Sequence, residues 1–311
     1  RGRPEKKLYD FIDKKIRKEA VKIGGEIIRK RFENIPEYQA SNEYFGLPEF
    51  AKGKKIIKID KIDITKEELC KKLGWNPNVP IGAIYSSDLT DGVFDSSWSL
   101  FRDRLTWLRE TLLEIKKNKN LNWLVKSHPN DEINKVITST NSEFEKICVD
   151  CNHIKLFPKN IRISSIPKFI DLIITQAGFA GSEYPCLGIP VIVTSESKFT
   201  GRGFTIEPET KEKYLFQLQN IKKLEKLSNR QIENAKVFIF ITYKLMLVPT
   251  NLIANYPTTS HVDEKKYFTE MTKLIEQYNE QEDILKKMMK IQEKNNDRHA
   301  IDYRIIFNKL N

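Results

Sequence analysis

Between Asp171 and Val193 the chain reads Asp-Leu-Ile-Ile-Thr-Gln-Ala-Gly-Phe-Ala-Gly-Ser-Glu-Tyr-Pro-Cys-Leu-Gly-Ile-Pro-Val-Ile-Val, and this stretch narrows the choice of fold most. Leu172 to Thr175 is a short apolar run suited to a parallel strand covered on both faces. Gly178 and Gly181 give the next turn the freedom to bring backbone N–H groups near a ligand, and a turn that opens a helix suits phosphate. Glu183, just inside that helix, is placed to accept hydrogen bonds from a ribose diol. Gly188-Ile-Pro190 then returns the chain to a second buried strand, Val191 to Val193. The pattern predicts an α/β fold with a ligand site at the carboxyl ends of parallel strands.

The flanking sequence repeats the alternation. Thr65-Lys-Glu-Glu68 starts a helix with a capping box and runs to Leu73, and Pro80 to Tyr85 reads as a buried strand. Phe101 to Lys117 carries Leu105, Leu108, Leu112 and Ile115 at helical spacing; Asn122 to Lys126 is a strand and Asp131 to Cys148 a helix. Ile154 to Phe157 is a further short strand, followed by a helix candidate at Ser165 to Ile170. Helices are expected at Lys211 to Gln219, Asn229 to Leu247 and Val262 to Lys294, and a strand at Lys55 to Ile59. The expected organisation is a basic helical segment and linker over 1–64, a Rossmann-like domain over 65–250 with helices on both faces of a parallel sheet, and C-terminal helices over 251–311.

At 311 residues and 40% hydrophobic content, the chain supplies a substantial core. No apolar run approaches the roughly 20 residues that span a bilayer, and no signal peptide opens the chain, so the expected location is cytoplasmic. Cys70, Cys148, Cys151 and Cys186 are too few and scattered for a disulfide framework. Cys148-Val-Asp-Cys151 lacks the second ligand pair that zinc requires, so no metal site is expected.

The net charge of +11 is concentrated at one end, since Arg1 to Arg31 holds 12 Lys or Arg against 5 Asp or Glu. Phe11, Ile12, Ile16, Ala20, Val21, Ile27 and Ile28 follow roughly helical spacing there, with Gly24-Gly25 expected to weaken or bend the helix. Such a segment suits an anionic phospholipid surface or polyanionic glycan, or else packs as a solvated helix on the protein; nucleic acid is not expected without interleaved aromatics.

Four constellations carry candidate chemistry. In Trp123-Leu-Val-Lys126-Ser127-His128-Pro129 a strand ends in a cation, a hydroxyl and an imidazole. Lys126 and His128 suit a diphosphate, and a charged His128 can stabilise or protonate a departing phosphate oxygen. Ser86-Ser-Asp88-Leu-Thr-Asp91-Gly92 follows the first buried strand and sets two carboxylates at the same edge, where either suits the base that takes an acceptor hydroxyl's proton. Gln176, Gly178, Gly181, Ser182 and Glu183 form the third group, and Lys198 to Thr205 forms a cationic loop in which Arg202 is the candidate phosphate clamp. The structural alternatives are a capping turn, an ordinary Asp-Gly turn, tight helix–strand packing and a plain surface loop.

Taken in order, Leu69 to Gly74, Ser86 to Gly92, Phe101 to Trp107, Asn122 to Pro129, Asp171 to Val193 and Gly201 to Tyr214 resemble the glycosyltransferases of bacterial capsule and surface-polysaccharide biosynthesis, over roughly Thr65 to Tyr243. The most specific parts are the strand into Lys126-Ser-His-Pro129, the Thr175 to Glu183 element with Gly188-Ile-Pro190, and Gly201-Arg-Gly-Phe-Thr205. The resemblance implies a GT-B architecture, with this region as the C-terminal domain that binds the nucleotide sugar without metal or other cofactor. It implies that Glu183 holds the ribose, that Lys126, His128 and Ser182 face the phosphates, and that Asp88 or Asp91 is the acid/base group. The donor is expected to be CMP-, UDP- or GDP-linked and the acceptor a polysaccharide or glycolipid. His-Pro with an acidic-acidic-glycine pattern is also similar to sialyltransferases and Kdo transferases, although Asp88 and Asp91 are separated by two residues here. Only about 64 residues precede the α/β region, against the well over a hundred of an acceptor domain, so the chain is expected to be a piece of a longer polypeptide. Two alternatives stand beside glycosyl transfer: a CDP-polyol phosphotransferase of the teichoic-acid type, and a catalytically silent module that binds glycan or membrane.

Overall fold

The computed structural model describes residues 6–33, 61–89, 98–128, 131, 138–222, 225–245 and 264–277, with isolated positions at 286, 289, 290 and 293. The chain divides into two compact units, Arg1–Ile59 with Ile239–Asn311, and Asp60–Phe238.

In the first unit, α1 (Lys6–Lys15) and α2 (Arg17–Glu33) bury Ile12, Ile16, Ala20, Gly24, Ile28 and Phe32, a repeat of four that keeps one side of each turn apolar. The interruption falls at Ile16, and Gly24-Gly25 stays inside α2. Gly24 is buried on the apolar side of the helix. Lys14, Lys18 and Lys22 are exposed and lie four residues apart. The sequence-based strand at Lys55 to Ile59 lies outside the described residues.

The second unit contains α3 (Lys66–Leu73), β1 (Ile81–Tyr85), α4 (Arg104–Lys117), β2 (Asn122–Lys126), α5 (Thr140–Cys148), β3 (Ile154–Leu156), β4 (Leu172–Thr175), α6 (Ala180–Glu183), β5 (Val191–Val193), α7 (Lys211–Asn220) and most of α8 (Asn229–Phe240). The last helix, α9 (Glu264–Glu276), belongs to the first unit. The capping box at α3 is present as read, with Thr65 accepting from Glu68 N and Glu68 reaching back to the Thr65 N–H, and Gly74 closes the helix in the left-handed region. The helix candidate at Ser165 to Ile170 is a 3-10 helix over Ile163–Lys168. Pro167 removes a backbone donor, and the Ser164 and Ser165 hydroxyls are drawn to Asp63.

All five strands are parallel, in the order β3-β2-β1-β4-β5. One face carries Ile84, Trp123, Val125, Ile154, Leu172, Ile174 and Ile192, joined in one core with Trp107, Leu108, Leu112 and Ile115 of α4, Phe144 and Cys148 of α5, and Tyr214 and Leu218 of α7. The alternate residues Ile81, Ala83, Leu124, Ile173, Val191 and Val193 are fully buried as well, so the sheet is covered on both faces. At its amino end the Asp171 carboxylate accepts from Ile81 N at 2.8 Å and Lys66 Nζ at 3.3 Å, tying β4, β1 and α3 together.

Two constraints shape the covered face. Gly82 pairs in register with Trp123, and a Cβ at position 82 would lie 2.4 Å from the indole Cζ3. Glycine here makes room for the fully buried ring. Between α4 and α5, Glu143 is 1% exposed and accepts from Arg109 Nε at 2.5 Å, Arg109 Nη2 at 3.1 Å and Lys146 Nζ at 2.8 Å. The Arg109 hydrogen bonds hold the Glu143 carboxyl below its ordinary value against the opposing effect of burial, with Lys146 adding to them.

Gly82→Ala is expected to lower stability by roughly 1–3 kcal/mol in urea unfolding, as overpacking does. Combined with Trp123→Phe, its cost should be less than additive, because the smaller ring vacates the contested volume. For Glu143 the sign follows from a depressed folded pKa: its stabilisation is present above the unfolded value near 4.3 and is lost as pH falls through the folded value. Arg109→Met should therefore lower stability at pH 7 and flatten its loss below about pH 4, read by urea unfolding across pH 3 to 7.

Candidate functional site

The strand order places the change of chain direction between β1 and β4, and in an open parallel sheet the crevice outside the carboxyl ends at that position receives ligands. Ser86 to Asp88 leave the end of β1, Ser127 and His128 the end of β2, Gln176 to Glu183 the end of β4, and Thr194 to Arg202 the end of β5. The described parts of all four sequence constellations thus come to one edge of one sheet.

On the β1 side, Ser86 N donates to Lys126 O at 3.0 Å, which continues the ladder one residue past the paired strands. Thr140 Oγ1 donates to Ser86 Oγ at 2.8 Å, and Ser86 Oγ donates to Ser87 O at 3.1 Å, joining the start of α5 to the end of β1. Asp88 is 5% exposed, and its carbonyl accepts from Arg104 Nη1 at 2.6 Å. A base drawn from this turn is therefore held in a loop fixed to α4. Asp91 lies outside the described residues.

From β2, Lys126 lies in register with Tyr85 and places its Nζ 4.9 Å from the Tyr85 ring centroid and 5.5 Å from that of Phe157. The Ser127 hydroxyl donates to Asn141 Oδ1 at 2.6 Å, so it orients the first turn of α5. His128 is partly exposed, and its carbonyl accepts from Asp131 N at 3.1 Å.

The glycine-rich turn after β4 works differently from the sequence expectation. Neither Gly178 nor Gly181 has positive φ; among the described residues the glycines that do are Gly74, Gly188, Gly201 and Gly203. Gly178 N donates to Thr175 Oγ1 at 3.3 Å and Gly181 N to Gly178 O at 2.9 Å, so both N–H groups close the turn on itself. Gly181 supplies space: a Cβ there would lie 2.3 Å from Phe199 Cζ. Ser182 is fully buried and its hydroxyl donates to Phe179 O at 2.9 Å. Glu183 is 4% exposed on the same turn, and α6 passes directly into a 3-10 helix at Tyr184–Leu187 because Pro185 enters the next turn. Gln176 is buried with no hydrogen-bond partner for its Oε1 among the described residues, and the same holds for Thr194 Oγ1. Both residues directly follow the paired Thr175 and Val193 at this edge.

The cationic loop is anchored. Phe199 and Phe204 are buried against each other and against Phe238 of α8, and the Glu207 carboxylate accepts from Gly201 N and Thr205 Oγ1. Gly201 and Gly203, at φ 73° and 76°, make the reversal that presents Arg202 between them. Sequence reasoning also missed the segment Trp98 to Leu100, which crosses β5's end antiparallel: Leu100 N donates to Thr194 O at 2.9 Å, and Glu196 N to Trp98 O at 2.9 Å. It missed the ring pair around Lys126 too, although a tyrosine and a lysine ending adjacent parallel strands were the available signal.

Among the described residues no group of three His, Cys, Asp or Glu is gathered in a way that would hold a metal ion. Cys148 and Cys151 are both buried, and burial, with Cys151 adding to it, pushes the Cys148 thiol up to about 12.

No family model matches the chain, and no curated protein matches it. Solved structures with partial likeness include a putative UDP-N-acetylglucosamine 2-epimerase from Listeria monocytogenes, at 13% identity and TM-score 0.35 over 55% of this chain and 44% of that one. The beta Kdo 2,4 transferase of Thermosulfurimonas dismutans KpsC aligns at 15% identity and TM-score 0.38, over 72% of this chain and 60% of that one. UDP-GlcNAc 2-epimerase from Neisseria meningitidis, bound to UDP-GlcNAc, aligns at 15% identity and TM-score 0.34, over 66% and 52%. The chain spans less than two thirds of the length of each.

Proposed function

We propose that this chain contributes the donor-binding part of a glycosyltransferase that moves a sugar from a nucleotide-sugar donor to a hydroxyl of a growing capsular or surface polysaccharide. The observation that supports it is the gathering of Asp88, Lys126, His128, Gln176 and Glu183 at the carboxyl edge of a five-stranded parallel sheet, around its change of chain direction. In this reading Lys126 and Arg202 neutralise the donor's phosphates, Glu183 accepts from the ribose, and Gln176 offers its buried amide to a polar group of the donor. His128 stabilises or protonates the departing phosphate oxygen, while Asp88 or Asp91 takes the acceptor's proton. No metal is required, since cationic side chains and position supply the stabilisation.

The exposed row of Lys14, Lys18 and Lys22 supports a second element of the proposal, attachment to an anionic membrane surface that carries the acceptor. Because Ile12, Ile16, Ala20, Ile28 and Phe32 are already buried, the attachment is electrostatic, without insertion of an apolar face.

Thermal-shift binding of CMP, CDP, UDP and GDP tests the donor site. One nucleotide should raise the melting temperature, and the shift should vanish in Glu183→Ala; no shift with any of them would remove the donor-site reading. In a transfer assay His128→Ala should lower turnover by about 10²-fold with the fold intact, and product that gains phosphorus would replace glycosyl transfer by polyol-phosphate transfer. Co-sedimentation should show binding to phosphatidylglycerol vesicles and not to phosphatidylcholine vesicles, weakened about 10²-fold when Lys14, Lys18 and Lys22 are all replaced by Ala. Equal binding to both vesicles would end the membrane proposal.

A further inference from the structure

The parallel register runs one residue past the strand ends. Tyr85 pairs with Lys126 on one side and with Thr175 on the other, and Thr175 pairs with Val193. The next residues, Ser127, Ser86, Gln176 and Thr194, are therefore level with one another across the ends of β2, β1, β4 and β5. Backbone hydrogen bonds carry the ladder on, with Ser86 N donating to Lys126 O at 3.0 Å and Ser195 N to Gln176 O at 3.1 Å. Each of the four stands two positions beyond a residue of the core shared with α4, α5 and α7, namely Val125, Ile84, Ile174 and Ile192. By the alternation of a strand they share that face of the sheet and form its last, polar layer.

The two halves of this layer differ. Ser127 Oγ donates to Asn141 Oδ1 at 2.6 Å and Ser86 Oγ accepts from Thr140 Oγ1 at 2.8 Å, so the start of α5 satisfies the hydroxyls at β2 and β1. At β4 and β5, Gln176 is 4% exposed and Thr194 0%, and neither Gln176 Oε1 nor Thr194 Oγ1 has a hydrogen-bond partner among the described residues. Their backbones are fixed, since Gln176 O accepts from Ser195 N and Thr194 O from Leu100 N at 2.9 Å. Level residues on adjacent strands stand about 5 Å apart at the backbone, within reach of one shared oxygen. A ligand hydroxyl both donates and accepts, so it satisfies the Thr194 hydroxyl together with the Gln176 amide in either orientation of that amide. The pair carries no positive charge, which suits a neutral hydroxyl and not a phosphate.

We propose that Gln176 and Thr194 form a subsite for one hydroxyl of the sugar carried by the ligand at this edge, and so help to set which sugar is accepted. The inference rests on the reading of that edge as a donor site and deepens it, adding Thr194 to the residues assigned there. When Gln176 turns to meet the sugar, its amide oxygen breaks no hydrogen bond with the described residues.

Two measurements on the full chain test it. In urea unfolding without ligand, Thr194→Val and Gln176→Leu should each keep or raise the midpoint, because an apolar side chain of similar shape removes a buried polar group that has no partner. Titration calorimetry then compares UDP, GDP and CMP with UDP-glucose, UDP-N-acetylglucosamine, GDP-mannose and CMP-N-acetylneuraminate. One nucleotide sugar should bind more tightly than its own nucleotide. Each variant should weaken that sugar-dependent binding about tenfold, the scale of one hydrogen bond, while affinity for the nucleotide alone stays within about threefold. The double variant should lose little more than the larger single loss, since both groups meet one hydroxyl. A lower urea midpoint in both variants would show that the two groups are partnered in the free protein and would overturn the proposal. A sugar-dependent gain that survives both substitutions would overturn it too. Nucleotide binding with no gain from any sugar removes this inference alone, whereas no binding of any nucleotide or nucleotide sugar removes the donor-site reading and this inference with it.

Discussion

Gly82 and Trp123 face each other across the two central strands, and the indole fills the volume a side chain at 82 would need. That exchange sets how close α4, α5 and α7 come to the sheet, because the ring lies in the same core as Trp107, Leu112, Phe144 and Tyr214. A parallel sheet covered on both faces has no solvated side on which to absorb a misfit, so a large residue is accommodated only where a neighbour is small. With the central pair fixed, Tyr85 and Lys126 end their strands level, and everything at the carboxyl edge is placed from there.

The same device recurs at the edge itself. Gly181 and Phe199 repeat the glycine-and-ring pairing, this time between the turn after β4 and the loop after β5. Phe199 in turn stacks with Phe204 and Phe238, so the loop that carries Arg202 is anchored at both ends, and Glu207 gathers the backbone between them. Rigid support of this kind suits electrostatic work, because a charge already in place needs little reorganisation when a ligand's own charge arrives.

Much of the second unit was legible in the sequence for a physical reason. Strands buried on both faces read as short continuous apolar runs, and Asn122 to Lys126, Leu172 to Thr175 and Val191 to Val193 are bounded as their composition implied. Thr65 and Glu68 announced the start of α3 because capping chemistry is local. What could not be read was anything set by partners distant in sequence. Glycines 178 and 181 looked like sources of backbone freedom, yet Gly181 is small on account of a ring eighteen positions later, and Gly178 is closed down by the Thr175 hydroxyl. Ser182 was read as facing the phosphates, and the sequence could not show that its hydroxyl donates to Phe179 O within the same turn. Asp91 and the strand expected at Lys55 to Ile59 lie outside the described residues.

Chemistry at this edge is divided between groups that are held and groups that hold them. Ser86, Ser127 and Thr140 have hydroxyls, but each is committed to fixing a strand end or the first turn of α5. Tyr85 and Tyr184 bond to each other, so the phenol oxygens face inward and the ring faces the lysine. Lys126, His128, Gln176 and Arg202 lie among these supports, at or just beyond the carboxyl ends of β2, β4 and β5. A buried polar atom such as Gln176 Oε1, which has no hydrogen-bond partner among the described residues, costs stability.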